Sequence, residues 1–282
     1  MSHGFITLAQ NNIHTDYLKL AYGLGLSIKA SQSIYNNLSV LVSPGQIVPE
    51  KYKLVFDQII EIPWGDMAFN EKKFENEWKV YHTSPYDHTI KLDADMLFFK
   101  DISDWWKTLS IQDVWASTKP ITFRGLEIKN SIFRKCFEIN KLPDVYSALF
   151  YFKKSTLAEE LFLVMESIFK DWKVYSQLYF DASNRPKVPA TDEVLALAIK
   201  LIDGNNECLN NSFEFFKFVH MKTALQDLSS NDEDWTKIVD FYLTPKLDAK
   251  IGCYNQKYPL HYHYKEFLTD NIIKTYERFL GI

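Results

Sequence analysis

Glycine is scarce in this chain, with 9 among 282 residues, roughly 3% where about 7% is usual. The nine stand at 4, 23, 25, 45, 65, 125, 204, 252 and 281. No G-x-x-x-x-G-K-[ST] run exists. Gly23 and Gly25 form a G-x-G, but Ile28 holds the third glycine position of the dinucleotide fingerprint. Both standard glycine-rich phosphate cradles are therefore excluded. Cysteine is equally sparse: Cys136, Cys208 and Cys253 lie far apart, with no C-x-x-C and no zinc spacing. An odd, scattered set suits a reducing compartment. No apolar run approaches 18 residues, so no transmembrane helix is expected. The start, MSHGFITLAQNN, lacks the charged and apolar regions of a secretory leader. Net charge is −4 and pI about 6.0, which excludes a global field attracting nucleic acid or acidic membranes.

What is present is 46% hydrophobic, 24% charged residues and 44 aromatics, as 7 Trp, 16 Tyr and 21 Phe. This is a globular composition with material for a large core. Residues 5–10 form a short apolar run at the start. Tyr17, Leu20, Ala21, Leu24 and Ile28 recur at helical spacing, predicting a helix over 16–33 after an N-cap at Thr15 or Asp16. Strands are expected at 38–43, 58–62 and 89–92, with helices at 49–56 and 74–81 between them. Strand–helix alternation implies an α/β fold with a mainly parallel sheet. Further on, 148–152 predicts a strand, and 156–172 and 192–202 predict helices. Residues 227–240, with Asp227, Asp232, Glu233, Asp234 and Asp240, predict a solvated acidic loop. The stretch 258–267 alternates as a strand. No linker or repeat interrupts the chain, which is expected to form one domain, 1–282, with a first half, 1–110, and a second half with a C-terminal extension, 111–282.

In parallel sheets ligands bind beyond the carboxyl ends of the strands. Two polar clusters sit there, Gln10-Asn11-Asn12 and Asp93-Ala94-Asp95. Two carboxylates at i and i+2 leaving a buried strand can reach one hard divalent cation, Mg²⁺ or Mn²⁺, to which a diphosphate adds further oxygens. A metal would then do what a glycine loop does elsewhere. The structural alternative is an ordinary strand-end turn, where Asp is common.

The stretch from Trp78-Lys79 through Ser84-Pro85-Tyr86 to Ile90-Lys91-Leu92-Asp93-Ala94-Asp95-Met96-Leu97 resembles the donor site of nucleotide-sugar glycosyltransferases of the GT-A fold. Within them it is most similar to the glycogenin-like retaining family. The resemblance implies a GT-A-like (Rossmann-like) fold and a donor that is a nucleotide sugar, expected to be a UDP-sugar, with Mn²⁺ or Mg²⁺ as cofactor. It implies that Lys79 contacts the donor diphosphate with Asp93, and that Asp93 and Asp95 hold the metal. Asp101-Ile102-Ser103-Asp104-Trp105 resembles the segment following the D-x-D. Tyr146-Ser147-Ala148 stands where the family has Asn-Ser-Gly, keeping only the serine. Asp192-Glu193 stands where the family has Asp-Gln lining sugar and acceptor, which makes both candidate catalytic residues. Phe218-Val219-His220-Met221-Lys222 stands where the family has a third metal ligand and a diphosphate lysine, so His220 and Lys222 are candidates for those roles. Gln10, Asn11 and Tyr17 are candidates for holding base and ribose.

Glu193 is a competent nucleophile where the family has an amide, with a helix-dipole role as the alternative. His261 and His263 could bind metal, but packing among Tyr258, Tyr262 and Tyr264 is the expected account. The wider pattern, including FITLAQN and ISDWW, looks like small glycosyltransferases of T4-like phages, some of which glycosylate 5-hydroxymethylcytosine. That makes double-stranded DNA a candidate acceptor and the host cytoplasm the expected location. Arg124, Lys129, Arg134 and Lys135, with Phe123, Phe133 and Phe137 interleaved, form a candidate DNA footprint; an ordinary basic surface is the alternative. The same chemistry could instead serve a glycan, lipid-linked sugar or protein, and a non-catalytic or nucleotidyltransferase relative is the remaining alternative.

Overall fold

A computed structural model describes residues 1–68, 73–129, 131, 134–209, 215–225 and 234–282. Among them run twelve strands: β1 (His3–Ala9), β2 (Leu38–Val42), β3 (Gln58–Glu61), β4 (His88–Leu92), β5 (Met96–Leu97), β6 (Val114–Ser117), β7 (Tyr146–Lys153), β8 (Val219–His220), β9 (Phe241–Leu243), β10 (Ala249–Ile251), β11 (Tyr254–Asn255) and β12 (Leu260–His261). Six form the central sheet in the order β3-β2-β1-β4-β7-β6. β1 to β4 are mutually parallel and β7 runs against β4 and β6. The sheet is thus mainly parallel, as the alternation implies.

Side chains alternate across this sheet, and each face has its own core. Phe5, Val40, Ile90, Leu92, Leu149 and Tyr151 face the helix Tyr17–Ser31 and the C-terminal region. Ile6, Leu41, Val114, Ala116, Phe150 and Phe152 face the helices Thr156–Lys170 and Thr191–Leu201. Phe152 is fully buried against Phe162, with ring centroids 5.0 Å apart. Its loss to alanine would cost about 3–5 kcal/mol. The first core draws on residues from Phe5 to Tyr276, so both ends of the chain share one interior.

The helix Tyr17–Ser31 starts where Asp16 accepts the Lys19 N–H at 3.0 Å, a side-chain N-cap. Nearly all of its middle is buried. A Cβ on Gly23 would lie 2.6 Å from Leu268, and one on Gly25 2.6 Å from Val55. The G-x-G is therefore a packing notch between helix and neighbours.

Several expected elements differ. The predicted helix 74–81 is a 3₁₀ turn, Phe74–Asn76, then a short helix, Lys79–Thr83. The predicted helix 156–172 stops at Lys170, and a second, Trp172–Tyr179, follows a break at Asp171. The expected strand over 258–267 is only β12. His263 takes a left-handed φ of 59° and Lys265–Phe267 is a 3₁₀ turn, so alternation there reflects packing rather than extension. Of the acidic stretch 227–240, Asp227, Asp232 and Glu233 lie outside the described residues. Asp234 caps a 3₁₀ turn, Trp235–Lys237.

Candidate active site

β1 connects outward to β2 on one side, while β4 lies on the other. The chain therefore diverges between the carboxyl ends of β1 and β4, where open α/β sheets bind ligands. A cleft of about 700 Å³ opens there, floored by Leu92–Asp95 and walled by Gln10, Tyr17, Ser147, Asp192 and Lys265 among others. That volume lies in the range of small-molecule sites.

A three-stranded sheet, β5-β12-β8, completes the floor. β12 pairs antiparallel with β5 and parallel with β8, which sets His261 opposite both Met96 and His220. The Tyr262 N–H donates to the Asp95 carbonyl at 3.2 Å. This register carries His261 to the D-x-D. Its Nε2 lies 3.0 Å from Asp95 Oδ2 and 3.8 Å from Asp93 Oδ2. One ligand atom each from Asp93, Asp95 and His261 lies within 4.8 Å of the others. Two carboxylate oxygens and an imidazole nitrogen suit a divalent cation.

His220 was expected as the third ligand. It stands instead behind His261, its Nδ1 3.0 Å from His261 Nδ1. Burial, then the neighbouring histidines, holds its basicity well below that of an ordinary histidine. His263 lines the cleft, and burial and His261 push its pKa down to about 3.

Two lysines serve the two aspartates. Lys91, almost wholly buried, donates to Asp93 Oδ1 at 2.6 Å and to the Ser147 carbonyl at 3.2 Å, and pairs with Glu77 at 3.0 Å. Burial alone would make it give up its proton, but Asp93 and Glu77 more than reverse that. Lys265 ion-pairs with Asp95. Burial alone would raise the Asp95 carboxyl; His261 and Lys265 instead hold it well below the usual carboxylate range.

At the opposite wall the helix Thr191–Leu201 presents two acids. Asp192 accepts from the Ser147 N–H at 2.8 Å, the Ser147 hydroxyl at 2.7 Å and Arg134 at 2.6 Å. Burial would raise its carboxyl, but Arg134 and Ser147 lower it. Glu193 differs. Its Oε1 lies 3.8 Å from the Cys136 thiol, and its buried Oε2 has no hydrogen-bond partner. Burial and the adjacent Asp192 raise this carboxyl.

The other sequence candidates divide. Tyr17 and Lys222 line the cleft. Gln10 does too, but its amide is spent on Ser43, Asp66 and Asn76. Asn11 braces the neighbouring helix start, bonding Asp16 and the Leu18 N–H, and Asn12 faces the cleft in its place. Lys79, expected on the diphosphate, is buried away from the cleft; its ammonium donates to the Gly65 carbonyl and lies 5.6 Å from the Trp78 ring. It opens the helix Lys79–Thr83, whose first three residues are buried.

The expected DNA footprint also loses its centre. Arg134 is mostly buried, paired with Asp144 and Asp192, its guanidinium 3.6 Å from the Phe137 ring centre and 4.1 Å from that of Tyr146. Phe123 and Phe137 are buried, and Phe133 lies outside the described residues. Lys129 and Lys135 are exposed, and Arg124 is half-buried.

Sequence reasoning assigned no role to Lys91, Glu77 or Lys265, and set His261 aside as packing. The available signal was the spacing His261-Tyr262-His263-Tyr264-Lys265 just after an apolar pair, Pro259-Leu260.

The sequence matches no protein-family model and no curated protein. Its fold is shared by solved structures. The glycosyltransferase GlyE of Streptococcus pneumoniae TIGR4 aligns over 100% of this chain with a TM-score of 0.52 and 8% identity, and the chain spans 61% of GlyE's length. Mouse xyloside xylosyltransferase 1, in its apo form, aligns over 93% of this chain and 97% of its own, with a TM-score of 0.50 and 11% identity. At such identities the likeness is one of fold: a mainly parallel sheet flanked by helices, with Asp93 and Asp95 at a strand end.

Proposed function

We propose that this chain is a metal-dependent glycosyltransferase, moving a sugar from a nucleoside-diphosphate donor to an acceptor hydroxyl. The observation that carries this reading is the convergence of Asp93, Asp95 and His261 on one point of a cleft at the carboxyl ends of β1 and β4. Both fold neighbours described above are glycosyltransferases by name. A Mn²⁺ or Mg²⁺ ion there would neutralise the donor diphosphate and stabilise it as it departs.

The chain's own residues account for the rest. Lys91 fixes the Asp93 carboxylate from behind, leaving its second oxygen toward the cation. Lys265 and Lys222 face the same cleft and supply positive charge to a diphosphate. Tyr17 and Gln10 wall the end of the cleft formed by β1, the place for base and ribose, with a UDP-sugar as the expected donor. Asp192 is locked by Arg134 and Ser147 and shapes the opposite wall. Glu193, with an unspent carboxylate oxygen, is the group on that wall able to act on the sugar or the acceptor hydroxyl.

For the acceptor, 5-hydroxymethylcytosine in double-stranded DNA rests on sequence resemblance; Arg124, Lys129 and Lys135 are the basic side chains left for it. Glycan, lipid-linked and protein hydroxyls fit the same chemistry. The test is incubation with UDP-sugars and Mn²⁺, with and without hydroxymethylated DNA, reading nucleotide release and product mass. Metal-dependent release supports the transferase reading, and a mass increase on DNA supports that acceptor. No metal-dependent turnover of any nucleotide sugar would overturn the transferase reading.

A further inference from the structure

The two lysines that meet the D-x-D are held in different ways. The Lys91 side chain is 1% exposed, donates to Asp93 and the Ser147 carbonyl, and ion-pairs with Glu77. Two carboxylates and a carbonyl around one buried ammonium fix it in place. The Lys265 side chain is 28% exposed. It stands at the start of a 3₁₀ turn on the cleft wall, paired with Asp95 alone among the described carboxylates. Its Nζ also lies over the Tyr17 ring on the cleft wall, 5.8 Å from the ring centre, a cation–π contact.

Asp95 Oδ2 receives both His261 Nε2 and the Lys265 ammonium. Two donors engage the lone pairs of that oxygen. A dication entering between Asp93, Asp95 and His261 needs a share of it. The imidazole can give up its Nε2 proton to solvent, keep a hydrogen on the Nδ1 side facing His220, and offer the Nε2 lone pair to the ion while staying in place. An ammonium has no lone pair to offer and bears like charge, so it is the group that must give way.

We infer that Lys265 is a resident stand-in for the metal: it neutralises Asp95 until a divalent cation arrives, then swings on its flexible stem to the diphosphate of the donor. The inference rests on reading the cleft as a site for a metal-bound diphosphate. It gives metal and donor a fixed order, because the displaced ammonium becomes available to the phosphates only once the metal is seated.

The test uses Mn²⁺ alone and inorganic pyrophosphate, which probes the diphosphate without a base. Titration calorimetry on Lys265→Met should show Mn²⁺ binding about tenfold tighter than wild type, because the variant leaves the buried Asp95 carboxylate with only His261 until the ion arrives. Pyrophosphate at saturating Mn²⁺ should bind about tenfold weaker, a charge-assisted hydrogen bond being lost. A lysine with a purely structural role would weaken both. Mn²⁺ binding to Lys265→Met that is equal to or weaker than wild type overturns the inference. Wild-type protein binding neither Mn²⁺ nor pyrophosphate would instead overturn the site reading on which it rests. A second measurement needs no variant: amine labelling of the wild-type chain, read by mass spectrometry. Lys265 should label faster with Mg²⁺ alone and slowly again once pyrophosphate is added. A labelling rate indifferent to Mg²⁺ overturns the inference.

Discussion

His220 and His261 face one another through their Nδ1 atoms at 3.0 Å, while His261 Nε2 reaches Asp95 at 3.0 Å. One hydrogen can lie between two Nδ1 atoms, so the pair fixes a tautomer and a ring orientation together. His220 acts on the candidate metal site through its neighbour. His220→Ala should weaken Mn²⁺ binding by about tenfold to a hundredfold, with an unchanged circular dichroism spectrum. Unaltered affinity would reduce His220 to a ring packed against Phe218 and Tyr146.

Asp95→Asn keeps the shape of the side chain and removes its charge. It should lower metal-dependent turnover about a thousandfold, since several kcal/mol of charge stabilisation depends on the ion. Turnover of nucleotide sugars by the variant, compared at saturating Mn²⁺, checks this. Activity within tenfold of wild type would place the metal elsewhere.

Arg134 tests the structure of the far wall. Arg134→Met leaves the half-buried Asp192 without its cation and should destabilise the fold by about 1–3 kcal/mol in denaturant titration. Adding Asp192→Asn should return part of that loss, because the stranded charge is gone. Additive losses would show that stacking on Phe137 and Tyr146, rather than the ion pair, carries the stability.

Glu193 gives a pH signature with a definite sign. Burial and Asp192 raise its carboxyl in the folded protein. A group raised on folding contributes stability below its unfolded value, and that stability is lost as pH rises through the folded value. Glu193→Gln should therefore be more stable than wild type at pH 7 to 8, and the gain should shrink toward pH 4, within the ordinary carboxylate range. A constant difference between the two proteins across that range would contradict the assignment. Asp95 has the opposite sign: its carboxyl is depressed on folding, so its contribution is present above the unfolded value and fades as pH falls below about 4.

Five of the six central strands were legible because they obey local rules; β6, only four residues long, was not. Residues 38–42 are a short apolar run closed by Pro44-Gly45, and the β-branched Thr89 and Ile90 with Leu92 mark a strand closed by the two aspartates; both strands are buried on both sides. The helix at 17–31 announced itself by apolar spacing and by Asp16. The D-x-D was legible for the same reason: it ends a strand. His261 and Lys265 were not, because their role depends on a register between three two-residue strands from distant parts of the chain. No spacing rule reports such a pairing, and an aromatic-rich stretch such as 258–264 mimics a longer strand. Lys79 and Arg134 misled in the other direction. A basic residue near a motif looks like a ligand contact, whereas here Lys79 caps a carbonyl and Arg134 neutralises a wall. Only the packing around each one distinguishes these uses.

The notch at Gly23 and Gly25 supplies a stability test of the same distant association. Gly25→Ala should be destabilising by up to about 2 kcal/mol: overpacking against Val55 costs about 1–3 kcal/mol, while alanine returns about 1 kcal/mol of helix propensity. Thermal or denaturant unfolding measures this, and a stabilised variant would show that Val55 yields freely.

The helix carrying that notch also receives the far end of the chain: Tyr22 donates to Glu277 at 2.9 Å, Lys19 pairs with Asp270, and the Tyr276 hydroxyl bonds the Phe98 carbonyl. His261 and Lys265 lie just ahead of this clasp. A ribosome delivers Asp93 and Asp95 long before it delivers their partners. While the chain is still being made, the first half can fold around its strands; Asp93 then already has Lys91, but Asp95 lacks both the imidazole of His261 and the ammonium of Lys265. The candidate three-ligand ion site is therefore complete only after residues 260–265 have been made and β12 has paired with β5 and β8.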